Sequence, residues 1–244
     1  MSDVVQRLPE SPQGLRRKIV ACAVCPRLLR FREGVKPRAS FASQSYWRKP
    51  VPGFGDLEGR LLVLGLAPAT HGGNRTGRIF TGDPSSRFLV TALYTTGFAN
   101  QPRSESRKDG LVYRDCYVTA AVKCAPPGDK PTPQEFANCS AYLDLEIRFM
   151  KNLRAVLTLG ALSFKAYLDH LRRSGMDVGG AKFAHGKKYA FEDSPPVYLS
   201  YHPSPRNTNT GVLTQPMLVD VLERIKREMA ELDAPQPSST PGSI

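Results

Sequence analysis

Four of the five cysteines have spacings that suit metal ligation. Cys22 and Cys25 form a C-x2-C pair, while Cys124 and Cys139 follow about a hundred residues later with fourteen residues between them. A C-x2-C can point two sulfurs at one centre from a single turn, so two pairs brought together by the fold would make a four-thiolate site. Zinc and an iron–sulfur cluster both accept four thiolates, and spacing does not separate them. Buried thiols without a metal are the plainer alternative, and Cys116, inside an apolar run, reads as core. A second set of candidates lies in three irregular loops. GLAPATHGGNRTGRIFTGD (65–83) ends in a carboxylate, Asp83, and carries Pro68, Phe80 and several glycines that can turn backbone N–H groups toward one point. Phe80 offers a flat apolar face, so this loop could hold a planar base. HPSPRNTNTG (202–211) opens with His202, which can donate a hydrogen bond to a developing anion, and Ser204 with nearby amides and Arg206 could grip a phosphate. CAPPGDKPTP (124–133) puts Asp129 and Lys130 on the same rim. Each has a plainer reading: Asp83 before Pro84 and Ser85 is an ordinary helix N-cap, Phe80 a core aromatic, and His202 a satisfied core histidine. His71 sits in the first loop, and His170 and His185 read as peripheral.

The elements that must position these residues alternate. Four short apolar runs, Leu61 to Leu66, Cys116 to Val122, Ala155 to Gly160 and Val197 to Tyr201, read as buried parallel strands. Helical segments are expected between and beside them at Ser85 to Thr96, Pro133 to Lys151, Leu162 to Arg173 and Gln215 to Leu232, the second started by Thr132, Pro133 and Glu135. A further helix from Leu15 to Phe31 is interrupted by Cys22, Cys25 and Pro26. Between it and the first strand, Gly34 to Asp56 reads as an ordered irregular loop pinned by Tyr46, Trp47 and Phe54. Alternating β and α predicts an α/β fold with a doubly wound sheet, in which ligands bind beyond the carboxyl ends of the strands where all three loops lie.

The chain has 244 residues, 41% hydrophobic, enough for one substantial core. One domain is expected over residues 1–232, with a disordered Pro/Ser-rich tail at 233–244. Thirty-four basic against 22 acidic residues give +12 and a pI near 9.7, pointing to a polyanionic partner. The longest apolar runs fall well short of the roughly 20 residues a membrane span needs, so no membrane partner is expected. Met1 to Glu10 has no apolar run behind a basic start, which leads us to expect a cytoplasmic, reducing setting where disulfides are disfavoured.

The three loops, in this order and with YWRKPVPGFGD (46–56) upstream, resemble the family 5, or B-type, uracil-DNA glycosylases; the resemblance spans about Arg17 to Leu232. It implies a three-layer α/β/α fold around a central, mainly parallel four-stranded sheet. It also implies a [4Fe–4S] cluster on Cys22, Cys25, Cys124 and Cys139, favouring iron over zinc, and an enzyme that flips a damaged base from DNA and hydrolyses its N-glycosidic bond. Carried over by position, Asp83 would orient or activate water, Phe80 would stack on the base and His202 would stabilise the leaving base anion. Asp129 stands where the family commonly has Asn, and it is taken as a third catalytic candidate. Gly65, Ala67, Pro68, Phe80, Asn74, Ser204 and Asn207 are the expected substrate contacts. The related family 4 reads uracil with an Asn near the end of the second strand, where this chain has Thr119, Ala120 and Ala121. Uracil and other deaminated or alkylated bases, such as hypoxanthine and ethenocytosine, are therefore expected as substrates in double-stranded DNA, with single-stranded DNA as a second option. The protein is expected to be a monomer. A metal-stapled nucleic-acid-binding module without catalysis is the alternative, and it would need neither Asp83 nor His202. An iron–sulfur redox enzyme lacks a flavin, haem or nicotinamide fingerprint.

Overall fold

The computed structural model describes residues 9–233. Its centre is four strands, β2 (Leu61–Gly65), β3 (Cys116–Ala120), β4 (Ala155–Leu159) and β6 (Val197–Ser200), buried at every position. Helices on both faces explain why these runs show no polar alternation. The four pair in parallel, in the spatial order β3-β2-β4-β6. Two antiparallel edge strands of two residues each, β1 (Phe54–Gly55) on β3 and β5 (Lys188–Tyr189) on β6, widen the expected four-stranded sheet to six. Strands this short carry no readable period, so the sequence did not signal them.

Successive strand residues face opposite ways and build two cores. Leu61 and Val63 pack with Leu89 and Leu93 of α4 (Pro84–Thr95) and Leu222 and Ile225 of α8 (Gln215–Asp233). Leu62 and Leu64 pack with Leu143 of α5 (Pro133–Phe149) and Phe164 and Tyr167 of α6 (Ala161–Arg173). Burial of each large apolar side chain contributes about 1.5–3 kcal/mol, and the result is the three-layer α/β/α sandwich. The expected broken helix is two helices, α1 (Pro12–Val20) and α2 (Pro26–Gly34), each opened by a proline. Leu15 and Ile19 of α1 rest on Tyr142 and Leu145 of α5. Short helices α3 (Gly73–Thr76) and α7 (Pro205–Asn209) lie inside the first and last candidate loops. Helix α8 runs through Asp233, the first residue of the expected tail, and the remainder of that tail, 234–244, lies outside the described residues.

The chain leaves β2 by α4 toward β3 on one side, whereas β4 leads by α6 to β6 on the other. The crevice between β2 and β4 is thus the switch point of the sheet, where its carboxyl ends admit a ligand.

Candidate active site and cysteine chamber

At that end lies an open cavity of about 490 Å³ lined by parts of all three loops, among them Leu66, Ala67, His71, Asp83, Asp129 and His202. Asp83 is the N-cap of α4: its Oδ1 accepts from the Ser86 backbone N–H at 2.8 Å, and Ser86 Oγ accepts from the Asp83 N–H in return. The N-cap reading is therefore correct, and it coexists with a place on the cavity wall. Burial pushes the carboxyl up to about 6, against the opposing pull of backbone N–H groups of Ser86 and Ser85 and of Arg75, with Asp129 adding a small upward push. Gly72 makes room for the group, since a Cβ there would stand 1.9 Å from Asp83 Oδ2. A carboxylate that titrates near 6 is basic enough to take a proton from water and is mostly ionised at neutral pH.

His202 enters from the carboxyl end of β6. Its ring makes no hydrogen bond among the described residues, and burial drives its pKa down to about 4. At neutral pH it is an uncharged imidazole with one N–H to give. Gly160, at the end of β4 with φ +95°, would put a Cβ 3.2 Å from that of His202, so both the turn and the approach favour glycine. The Phe80 ring lies 6.2 Å from the His202 ring, tilted by 33°. Phe80 itself has φ +45°, an uncommon conformation for a bulky residue, and its ring covers Gly65, where a Cβ would meet Cε2 at 2.7 Å. Gly65 thus serves as the floor under Phe80.

The other expected contacts divide. Ala67, Asp129 and Ser204 line the cavity, Asp129 exposed on a short 3-10 turn at φ +57°. Pro68 is buried behind the wall against Gly73. Asn74 is a correction: it is 1% exposed and lies away from the cavity, because α3 turns it inward to donate from Nδ2 to the Arg32 carbonyl at 3.3 Å. Asn207 donates to the His202 carbonyl at 2.8 Å and so holds the loop from behind. His185 does not line the cavity, as expected; its ring stacks on Tyr201 at 5.1 Å and its Nδ1 accepts from the Tyr201 N–H. Sequence reasoning missed Arg38, which lines the cavity from the irregular segment before β1, and Tyr46, whose hydroxyl pairs with His71 Nδ1 at 2.9 Å. Their segment lacks any periodicity that would have tied it to the site.

The four cysteines lie together around the start of α2, where Cys25 is the N-cap. Cys22, Cys25, Cys124 and Cys139 line one small pocket together with Leu28, Arg32 and Tyr142. Burial lifts the Cys25 thiol, that of Cys124 to about 11 and that of Cys139 to about 12, so they stay protonated unless a positive centre compensates. Two donors already face the sulfurs: Arg32 Nη1 to Cys124 Sγ at 3.1 Å and Asn138 Nδ2 to Cys25 Sγ at 3.2 Å. Arg32 is 5% exposed, its Nε has no partner, and no carboxylate pairs with it among the described residues. Among those residues, too, no three His, Cys, Asp or Glu side chains are placed to hold a lone metal ion. Cys116 is fully buried core, as expected.

Residues 52–226 match the uracil DNA glycosylase superfamily. The chain is 49% identical over 207 residues to a type-5 uracil-DNA glycosylase of Pyrobaculum aerophilum, covering 85% of this chain and 88% of the relative. A type-5 uracil-DNA glycosylase of Thermus thermophilus is 42% identical over 210 residues, 86% and 94% of the two chains. One from Mycobacterium bovis is 43% identical over 216 residues, 87% and 80%.

Proposed function

The chain belongs to the uracil DNA glycosylase superfamily, and on that premise we propose that it excises uracil from DNA by hydrolysing the N-glycosidic bond. The observation that carries this is the pairing, across one cavity at the sheet's switch point, of a carboxyl tuned to about 6 with a neutral, unpartnered imidazole. Heterolysis of the C1′–N bond leaves its electron pair on the base and positive charge on the sugar. Asp83 faces the sugar, stabilises that charge and takes a proton from the water whose oxygen bonds C1′. His202 donates its N–H to the base anion, which leaves and is protonated. A preorganised donor of this kind is worth ~10²–10³ in rate, and a general base ~10²–10⁴. No lysine nucleophile is needed, so the product is an abasic site. A pure binding module would need neither group.

The same reading assigns the cysteine chamber to a [4Fe–4S] cluster held by Cys22, Cys25, Cys124 and Cys139. Its support is physical: buried Arg32 with an orphan Nε and no carboxylate calls for negative charge beside it, four thiolates on a polyatomic cluster supply that, and N–H···S bonds from Arg32 and Asn138 suit cluster ligation. When bound, the cluster serves as a staple joining α2 to the β3–α5 connection. The substrate range extends to hypoxanthine and ethenocytosine, because β3 ends in Thr119 and Ala120, with Ala121 next, and the Thr119 hydroxyl is already taken by Glu146 and Lys123. The enzyme works as a cytoplasmic monomer on duplex DNA. A labelled duplex with one uracil, treated with alkali after incubation, tests the central claim. Strand cleavage that vanishes in Asp83→Asn and His202→Ala supports it, whereas intact DNA binding without cleavage by cluster-replete protein would favour the binding module.

A further inference from the structure

Behind Asp83 a second, polar trough of about 640 Å³ shares Arg38, His71, Asp83 and Pro84 with the first cavity. It runs between the Arg38–Gln44 segment and the start of α4, and Glu105 and Ser106 close its far side. That far side belongs to the Arg103–Lys108 loop, basic and exposed except at Ser104. Asp109 accepts from the backbone N–H groups of Glu105, Ser106 and Leu111 and from buried Arg78 at 2.6 Å, and these four donors hold its carboxyl down to about 2. The loop is also joined directly to the catalytic segment: Gly82 N–H donates to the Ser104 carbonyl at 2.7 Å, one residue before Asp83. On the near side, Arg75 is consumed by the carbonyls of His71 and Gly82 and by Gln44. The side chains of Arg38 and Arg87, by contrast, line the trough with no hydrogen bond or ion pair among the described residues.

We propose that this trough seats the backbone phosphates of the DNA strand next to the nucleotide being excised, with Arg38 and Arg87 as their counter-charges and the Arg103–Lys108 loop as the opposite rim. The proposal rests on the glycosylase reading. A nucleotide whose base occupies the first cavity keeps its sugar at Asp83, and its neighbouring phosphate must then lie within one nucleotide of that carboxylate. The trough is the adjoining space, and it holds two uncommitted guanidiniums. Arg38 borders both chambers, so it spans the point where base and backbone part. Phosphate contacts of this kind fix register without reading sequence. Glu105 is the only carboxylate in the lining besides Asp83.

The test is the salt dependence of binding, by fluorescence anisotropy, of full-length protein to a duplex carrying a stable abasic-site analogue. Neutralising two phosphate contacts should flatten the slope of log Kd against log salt by about 1.8 in Arg38→Gln/Arg87→Gln. Arg148→Gln/Lys151→Gln removes the same charge from the opposite end of the sheet and should leave the slope as in wild type. An unchanged slope in the first variant, or an equal loss in both, overturns the proposal. Because the side chains changed are exposed, folding is checked by the control and by a third variant, Ser106→Glu, which puts a carboxylate into the trough and should weaken binding at low salt. Wild-type protein that fails to release uracil yet shows the Arg38/Arg87-dependent slope would sink the glycosylase reading and leave the trough as a polyanion site.

Discussion

Asp83 sets stability and activity against each other, and Asp83→Asn separates them. Its carboxyl titrates near 6 instead of at the ordinary 3.8 because it is desolvated at the cavity wall. The folded state therefore prefers the protonated form. A carboxyl whose folded pKa is raised costs stability as pH rises from about 4 to 6, and above 6 the whole deficit, about 3 kcal/mol for two units, is present. Asn removes that deficit, keeps the side-chain oxygen that accepts from Ser86, and is itself a favoured N-cap. Its loss is the attraction between carboxylate and helix N-terminus, about 0.3–1 kcal/mol. At pH 8 the variant should thus melt several degrees higher than wild type, at roughly 2–4 °C per kcal/mol for a chain of this size. The gain should shrink below pH 6 and vanish near pH 4. Single-turnover uracil release should meanwhile fall by ~10²–10⁴, and the wild-type rate should drop about tenfold for each pH unit below 6. Melting curves at pH 8 and 4.5 with single-turnover rates between pH 5 and 8 cover all of this. A variant that melts lower at pH 8, or a wild-type rate flat from pH 5 to 7, would refute the assignment of a desolvated catalytic base.

Three other outcomes follow from the geometry. Gly72→Ala places a Cβ 1.9 Å from Asp83 Oδ2, so the carboxyl must move; single-turnover release should fall about 10²-fold, and a rate within a factor of three of wild type would mean the carboxyl's position is unimportant. Glu146→Gln strands Lys123, which is 1% exposed and bonded to Glu146 Oε2 at 2.6 Å; urea unfolding should show a loss of about 3–5 kcal/mol, and a loss under 1 kcal/mol would contradict a buried, charged pair. Cys124→Ser should lose both the visible colour of the purified protein and its solubility; a soluble, colourless and fully active variant would remove Cys124 from the ligand set.

The parallel strands and the helices packed on them were legible because each is a run whose composition admits one role. LLVLG and AVLTL are too apolar for a half-exposed strand, and they are too short for a buried helix. Prolines at helix starts and the Thr132–Glu135 box marked boundaries to within a few residues. The edge strands were not legible because two residues make no period. Of the site, Asp83 and His202 could be found because one closes and the other opens a loop that follows a strand. Asn74 misled because a glycine-rich loop says nothing about which side chain points inward, and here one turn of helix sends it to Arg32. Arg38 was invisible for the converse reason: it reaches the cavity through a segment with no regular structure, set only by tertiary bonds such as Arg48 to the Val35 carbonyl and Trp47 N–H to the Arg75 carbonyl.

The cysteine chamber also imposes an order on the birth of the molecule. All four thiols lie within the first 139 residues, before β4 and β6 have been made. Cys139 leaves the ribosome 117 residues after Cys22, a wait of roughly 6–23 s at ordinary synthesis rates. Once it emerges, the nascent chain holds all four thiols that, on the cluster reading, would staple α2 to the β3–α5 connection. That staple could form while half the parallel sheet is still missing. His202, at the end of the last strand, is supplied only near the close of translation, so a truncated chain could carry the base that handles water but never the donor that lets the nucleobase leave.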